Sequence, residues 1–155
     1  MNRPLLLTLA LVFFSGNLIA QSDSPPTGKT FLEGTWQADL GFSPGVITRG
    51  GDTIWLAGTT GHIDENGQPI TGFAAQTRQV YRNIDASLRQ LGSNLSDVVT
   101  VSVFLGDARH VEQLIEIRKA IFPEGRYPSS ILITNASFAE PEIMVEIKAT
   151  AVVDR

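Results

Sequence analysis

One acidic residue, Glu146, lies in the middle of a strand-like run over 143–151. Side chains of a strand alternate between its two faces, so one face of this run is wholly apolar. The other face is half apolar and half charged, and consists of Met144, Glu146, Lys148 and Thr150. A carboxylate held on a rigid strand can position a water molecule and accept its proton, which suits the wall of a cleft. The alternative is an ordinary surface pair, because Glu146 and Lys148 would lie about 7 Å apart on one face.

The segments that must position this strand alternate between strand and helix patterns. Apolar residues recur at helical spacing over 73–91, and Gly92 follows as a helix stop. A second helix is predicted after Asp107, which can cap it, and it ends before Pro123. β-Branched and apolar residues predict strands over 46–48, 53–57, 98–105, 130–134 and 143–152.

The order of these segments predicts the fold class. The turn Gly50-Gly51-Asp52 is expected to join 46–48 and 53–57 in a hairpin. The order β-β-α-β-α-β-β predicts an α+β fold, with a mixed β-sheet and two helices packed on one face. The other face must meet solvent or another subunit. It would carry Trp55 and Met144, an apolar load that predicts self-association.

The N-terminal region has the pattern of an export signal. Arg3 precedes a short apolar core and small residues follow, which predicts a signal peptide over 1–20. The core is shorter than the ~20 residues of a membrane span. Residues 21–33, which include Pro25-Pro26, are predicted to be a flexible leader, and 34–155 a single domain. The predicted location is periplasmic or secreted.

The charge balance limits the classes of partner. The 155-residue chain has 12 basic and 16 acidic residues, a net charge of −4. Removing a signal peptide that holds Arg3 and no acid would leave 11 basic residues and a net charge of −5. Such a balance argues against binding to nucleic acid or, once the signal is removed, to a membrane.

The sequence contains no complete metal-binding motif and no functional serine-nucleophile motif. The absence of Cys excludes disulfides and thiolate metal sites, and His62 and His110 lie 48 positions apart without ligand spacing. No metal and no cofactor is therefore predicted. The run 41–45 matches the G-x-S-x-G nucleophile elbow, but Pro44 follows the serine and lacks the N–H that the oxyanion hole of such an elbow needs.

Several groups of residues occur in the order and spacing of one known family. They are Ala57-Gly58-Thr59; 75–79 with Asn83; 97–99 with 103–105 and Asp107; and 145–149, which matches a closing Val-Glu-Ile-Glu-Ala strand. On these residues, the segment 41–153 resembles the RidA family of reactive enamine/imine deaminases.

The resemblance implies a chorismate-mutase-like fold and a homotrimer, with sheets packed into a central barrel and three small-molecule pockets between subunits. It implies that Glu146 positions or activates the water that attacks the carbon of a 2-imino acid and releases ammonia. Phe42 would correspond to the aromatic residue of the family's Gly-Pro-Tyr motif. Gly58, Thr59 and Ser130 would shape the pocket.

The sequence departs from the family at the residue expected to hold the substrate carboxylate. The family's Pro-Ala-Arg-Ser is Pro128-Ser129-Ser130-Ile131 here, so Ser130 replaces the arginine. A hydroxyl cannot make a bidentate, charge-assisted contact, and its loss removes about 1.5–3 kcal/mol of binding. Arg126 is the first candidate to replace this contact, beside Arg49 and Lys148. The alternative is that Arg126 is a solvated loop residue.

Two functions are therefore expected. The first is hydrolysis of an imine, an enamine or a related C–N bond, with Glu146 as the general base and ammonia as a product. The second is a non-catalytic trimer whose interface clefts bind a small neutral ligand in the cell envelope. Ser130 favours the second function over 2-imino acid deamination, whereas Glu146 and the strand ends around it favour the first.

Overall fold

The computed structural model describes residues 28–154, so the signal peptide predicted over 1–20 lies outside the described residues. The strands are β1 (Gly28–Phe31), β2 (Val46–Arg49), β3 (Asp52–Thr60), β4 (Val98–Leu105), β5 (Ser129–Ile133) and β6 (Val145–Val153). The helices are α1 (Trp36–Asp39), which is a single turn, α2 (Phe73–Gln90) and α3 (Val111–Ile121).

Four strands form one mixed sheet in the order β3-β6-β4-β5. Strand β6 is antiparallel to both of its neighbours, whereas β4 and β5 are parallel, as expected for strands joined through a helix. The inner face of β6 is apolar and packs with the inner faces of α2 and α3 in one hydrophobic core. The predicted α+β fold, with a mixed sheet and two main helices on one face, is confirmed.

The two long helices begin and end where the sequence signals predict. Three core residues of α2, which are Val80, Ile84 and Leu88, are at most 1% exposed. Gly92 has a positive φ of 75° and follows the last turn of α2, within a residue of the predicted end. Asp107 accepts a hydrogen bond from the backbone N–H of Arg109 at 2.8 Å and caps the short 3-10 turn Ala108–His110, which leads directly into α3.

The hairpin predicted between 46–48 and 53–57 is wrong. Strand β2 pairs with β1 in a separate two-stranded sheet, and β3 pairs with β6. The Gly50-Gly51 turn is present, with both φ angles positive. Strand β3 pairs instead along nine-residue β6, whose apolar inner face lets β3 bury Ile54. Tertiary burial therefore outweighs the local turn signal.

The flexible leader predicted over 21–33 is wrong for residues 28–31, which form β1. Residues 21–27 lie outside the described residues. The side chain of Lys29 is only 6% exposed, and its Nζ donates to Asp97 Oδ1 at 2.8 Å and to the carbonyl oxygen of Val152. A Pro- and Gly-rich composition predicted mobility, but Lys29 ties this strand to Asp97 by an ion pair and to the end of β6 by a hydrogen bond.

We expect Lys29→Met to lower the free energy of unfolding by about 2 kcal/mol at neutral pH, the scale of a lost hydrogen bond to a charged group. Burial alone would raise the pKa of Asp97, but hydrogen bonds from Lys29, Ser93 and Asn94, with the Lys29 charge, lower it below its ordinary value. A lowered carboxyl pKa contributes stability that is lost as the pH falls through the folded-state value.

Urea unfolding of wild type and Lys29→Met across acidic pH tests this contribution. The difference between the two proteins should shrink on acidification, because Asp97 becomes protonated in both. The exposed Lys119 provides a control, and Lys119→Met should unfold like wild type. A wild-type midpoint for Lys29→Met at neutral pH would contradict a stabilising role of the ion pair.

Candidate functional site

The candidate site lies on the sheet face that the helices leave uncovered, called the open face below. Strand β3 carries a β-bulge between Trp55 and Gly58, next to β6. A Cβ atom built on Gly58 would lie 1.9 Å from Oε1 of Glu146. The carboxylate of Glu146 therefore lies directly against the Gly58 backbone, in the space that a side chain would occupy. Bulges of this kind often redirect side chains next to active sites.

Polar and apolar side chains surround Glu146 on the open face. Thr60 is its cross-strand partner on β3, and Phe104 is its partner on β4. Cβ atoms of such directly opposed pairs lie about 4.5–5.5 Å apart. The next pair along β6 brings Lys148 opposite Ser102. Glu146 itself is half-buried, whereas Lys148 is exposed. A carboxylate, a hydroxyl and an aromatic ring thus share one small area.

A hydrogen-bonded chain extends from Thr60 away from Glu146. The Oγ1 atom of Thr60 lies 3.1 Å from Nδ1 of His62, and Nε2 of His62 lies 3.1 Å from Oε2 of Glu140. The His62 side chain is 12% exposed and that of Glu140 is 57% exposed. The imidazole is therefore largely shielded, while the carboxylate at the far end reaches solvent.

Thr59, which the sequence places in the pocket, lies on the other side of β3 from Glu146. Its cross-strand partner is Ile147, on the inner face, and its hydroxyl donates to the carbonyl oxygen of Ala57 at 3.3 Å. The hydroxyl that shares a face with Glu146 belongs to Thr60. Simple alternation does not place Thr60 on this face, because the bulge shifts the alternation of β3 between Trp55 and Gly58.

Ser130 also faces away from Glu146 within one subunit. Its partner on β4 is Val101, which belongs to the core, and its Oγ lies 3.2 Å from Nη1 of Arg118. Arg118 is only 3% exposed and forms no salt bridge with another residue of 28–154. Burial lowers the pKa of its guanidinium, partly offset by Tyr81 and Tyr127. A buried cation therefore lies beside position 130.

The same arginine holds the loop that carries Phe42. Nη2 of Arg118 donates to the carbonyl oxygen of Leu40, and its Cζ lies 5.8 Å from the centre of the Phe42 ring. Phe42 also packs edge-to-face against Trp36, with ring centres 5.7 Å apart. Arg118 lies four residues after Leu114 on the inner face of α3, so helical spacing alone could have identified it.

Arg126, which the sequence offers as a candidate to bind a substrate carboxylate, occupies an exposed loop. Its Cζ lies 5.6 Å from the centre of the Phe31 ring, on β1. The structure therefore brings together Glu146 and Gly58 among the predicted site residues. It places Ser130 and Phe42 around Arg118, and Arg126 against β1.

Residues 28–154 contain neither a candidate metal site nor a candidate membrane span. None of their His, Asp and Glu side chains forms a group of three or more that could hold a metal ion. No helix in this part of the chain has the length and apolar character needed to cross a membrane.

Comparisons with known proteins define the family. The sequence model of a family described as endoribonuclease L-PSP matches residues 33–153. A RutC family protein from Pyrococcus abyssi is 30% identical over 102 residues, which cover 65% of this chain and 79% of that protein. RidA from the Antarctic bacterium Psychrobacter sp. PAMC 21119 is 29% identical, with a TM-score of 0.61, over 72% of this chain and 88% of that chain. This protein belongs to the RidA family.

Another solved structure supports the RidA-family fold alone. A Rid-family protein of unknown function from Yersinia pestis is 24% identical, with a TM-score of 0.72, and the match covers 81% of this chain and 98% of that one. The resemblance to the RidA family is therefore confirmed. In this chain, Gly58 and Glu146 meet at the β3 bulge.

We expect Gly58→Ala to lower the turnover number of a reaction that uses Glu146 about tenfold, because the added Cβ must displace the Glu146 carboxylate. Gly58 does not have a positive φ, so backbone strain does not contribute. Gly45→Ala is the matched control, since a Cβ at Gly45 would meet no atom within 4 Å. Steady-state kinetics and melting temperatures of both variants are the measurements. A fully active Gly58→Ala protein would mean that the position of this carboxylate is unimportant.

Proposed function

We propose that the protein hydrolyses the C=N bond of a reactive imine, or of an enamine through its imine tautomer, and releases ammonia. Glu146 acts as the general base. Its contact with Gly58, in the space of a missing side chain, is the observation that carries the proposal. A carboxylate fixed against backbone has few alternative positions and can hold one water molecule in a constant geometry.

The chemistry needs few groups. Glu146 takes a proton from water as the water oxygen bonds to the imine carbon. The π pair of the C=N bond moves to nitrogen, which takes up a proton. The resulting carbinolamine collapses to a carbonyl compound and ammonia. Phe104, opposite Glu146, supplies an apolar wall that suits a small organic substrate.

A homotrimer is part of the proposal. The open face carries large exposed side chains, including Trp55 at 73%, Ile131 at 55% and Ile133 at 43% exposure. Such an apolar patch favours burial against further copies of the chain. Glu146 is half-buried in one subunit, and a neighbouring subunit would complete the pocket and exclude water from it. Light scattering of the purified protein tests the trimer.

We propose that the substrate need not carry a carboxylate group. Ser130 stands where the family has its carboxylate-binding arginine, and it faces the core rather than Glu146. Lys148 is the cation nearest to Glu146 along β6, and it is exposed. An exposed lysine binds an anion less strongly than a buried, bidentate arginine does. We therefore expect neutral imines to react at least as well as 2-imino acids.

Export is proposed as well. The sequence of 1–20 has a basic start, an apolar core and small residues before the polar segment, which supports a periplasmic or secreted location. Fractionation of cells that express the full chain, with detection of the processed protein outside the cytoplasm, tests this point. Full-length protein confined to the cytoplasm would contradict it.

The name of the matching family model suggests RNA cleavage as another function. The chain carries a net charge of −4, and the candidate site presents the carboxylates of Glu146 and Glu140. RNA binding relies on basic surfaces that contact phosphates, so the charge disfavours this alternative.

The test is ammonia release from freshly generated imines by the purified protein. The panel contains 2-iminopropanoate and a neutral imine of similar size, each with spontaneous hydrolysis as the blank. The proposal expects release above the blank for at least the neutral imine, and no cleavage of RNA in parallel. Rates equal to the blank for every imine would overturn the proposed function, and a ligand that stabilises the protein but is recovered unchanged would then favour the non-catalytic binding protein.

A further inference from the structure

Thr60, His62 and Glu140 form a continuous chain of hydrogen bonds that ends beside Glu146. The two contacts with the imidazole are both 3.1 Å long, one at each ring nitrogen. Thr60 belongs to β3 and is the register partner of Glu146. Glu140 comes from the segment that leads into β6 and lies 78 positions after the His62 that it contacts.

The partners of His62 determine which of its ring nitrogens donates a hydrogen bond and which accepts one. Glu140 accepts a hydrogen bond, so Nε2 of His62 carries its proton toward that carboxylate. Nδ1 then accepts from the Thr60 hydroxyl when the ring is neutral and donates to it when the ring is charged. The Thr60 hydroxyl can therefore pass a proton between His62 and a molecule bound next to Glu146.

A purely structural role is the main alternative, because Thr60 and His62 are only two residues apart and Glu140 is 57% exposed. Two features favour a chemical role. His62 is 12% exposed, so its Nδ1–Thr60 contact is shielded from competing water. Thr60, at one end of the chain, is also the cross-strand partner of Glu146, the proposed general base.

We propose that His62, acting through Thr60, supplies the proton that the substrate nitrogen takes up and recovers it before the next turnover. This inference rests on the proposed imine hydrolysis. It makes Thr60 a catalytic residue that contacts the substrate and His62 a positioning residue that acts through Thr60.

The proton count closes over two steps. In the first, Glu146 takes a proton from water, while the nitrogen receives the C=N pair and a proton from Thr60, which is replaced from Nδ1 of the charged His62. In the second, the nitrogen takes the proton held by Glu146 and leaves with the C–N pair as ammonia. The carbinolamine O–H pair forms the carbonyl bond, and that proton returns through Thr60 to His62.

The experiment compares Thr60→Val with Thr60→Ser in the imine assay. Valine keeps the β-branched shape of threonine without its hydroxyl, whereas serine keeps the hydroxyl. We expect kcat to fall about tenfold or more in Thr60→Val with little change in KM, the usual scale for lost acid–base help. Thr60→Ser should stay within about threefold of wild type. If Thr60 had only a structural role, a slow valine variant would also have a lower melting temperature than the active serine variant.

A second variant, His62→Asn, removes the imidazole and should also lower kcat. It provides the test if Thr60→Val does not fold. A wild-type kcat in Thr60→Val or in His62→Asn, with wild type active, would overturn the relay and leave the proposed function standing. Absence of imine hydrolysis by wild type would overturn both.

Discussion

Replacing Glu146 with glutamine is expected to lower kcat for imine hydrolysis by about 10²-fold or more, the scale of losing a general base. Glutamine keeps the size of the side chain and its contact with Gly58 but cannot accept a proton from water. KM should change little, because binding relies on the surrounding open face. Melting temperature should stay near that of wild type, since Glu146 forms no salt bridge within residues 28–154.

Glu142→Gln is the matched control. Glu142 is four residues from Glu146 and is exposed, and its backbone carbonyl accepts a hydrogen bond from Gln76. It removes one negative charge from the same region without touching the site. Equal kcat values for wild type and Glu146→Gln would remove this carboxylate from the mechanism. Equal losses in both variants would point to a general effect of charge.

The strands and helices that position Glu146 follow from local patterns. One core explains both patterns: it is contacted by Val80, Ile84 and Leu88 at helical spacing and by alternate residues of β6. Tertiary pairing is less local, and so the partner of β2 was predicted wrongly. The role of Lys29 depends on Asp97, 68 residues away, and nothing in the composition around Lys29 signals that contact.

The candidate site was predictable only in part. Glu146 stands out because an acid in a strand is unusual, and the resemblance to the family added Gly58. The relay was not predictable, because Glu140 joins His62 through the fold and Thr60 reaches the open face through a bulge. Arg118 was overlooked although its helical spacing is clear. A charged residue on the inner face of a helix departs from the usual apolar pattern, and a residue of this kind is a candidate for a functional role.

The buried guanidinium of Arg118 determines what is expected from placing an arginine at position 130. Ser130→Arg should lower the free energy of unfolding by about 3–5 kcal/mol, the scale of an uncompensated buried charge. The Oγ of Ser130 is already 3.2 Å from Nη1 of Arg118, so the new side chain starts beside a like charge. Arg118 is 3% exposed and has no salt-bridge partner among residues 28–154 to absorb a second cation.

The exchange variant Arg118→Ser with Ser130→Arg is the control that separates charge repulsion from steric crowding. It keeps one guanidinium in the same region, so we expect it to recover most of the stability lost in Ser130→Arg. Urea unfolding of the two single variants, the double variant and wild type gives the coupling between the two positions. Additive losses would mean that the two side chains do not interact. Strong coupling would explain why the sequence carries serine here: position 130 borders a cation that α3 already supplies.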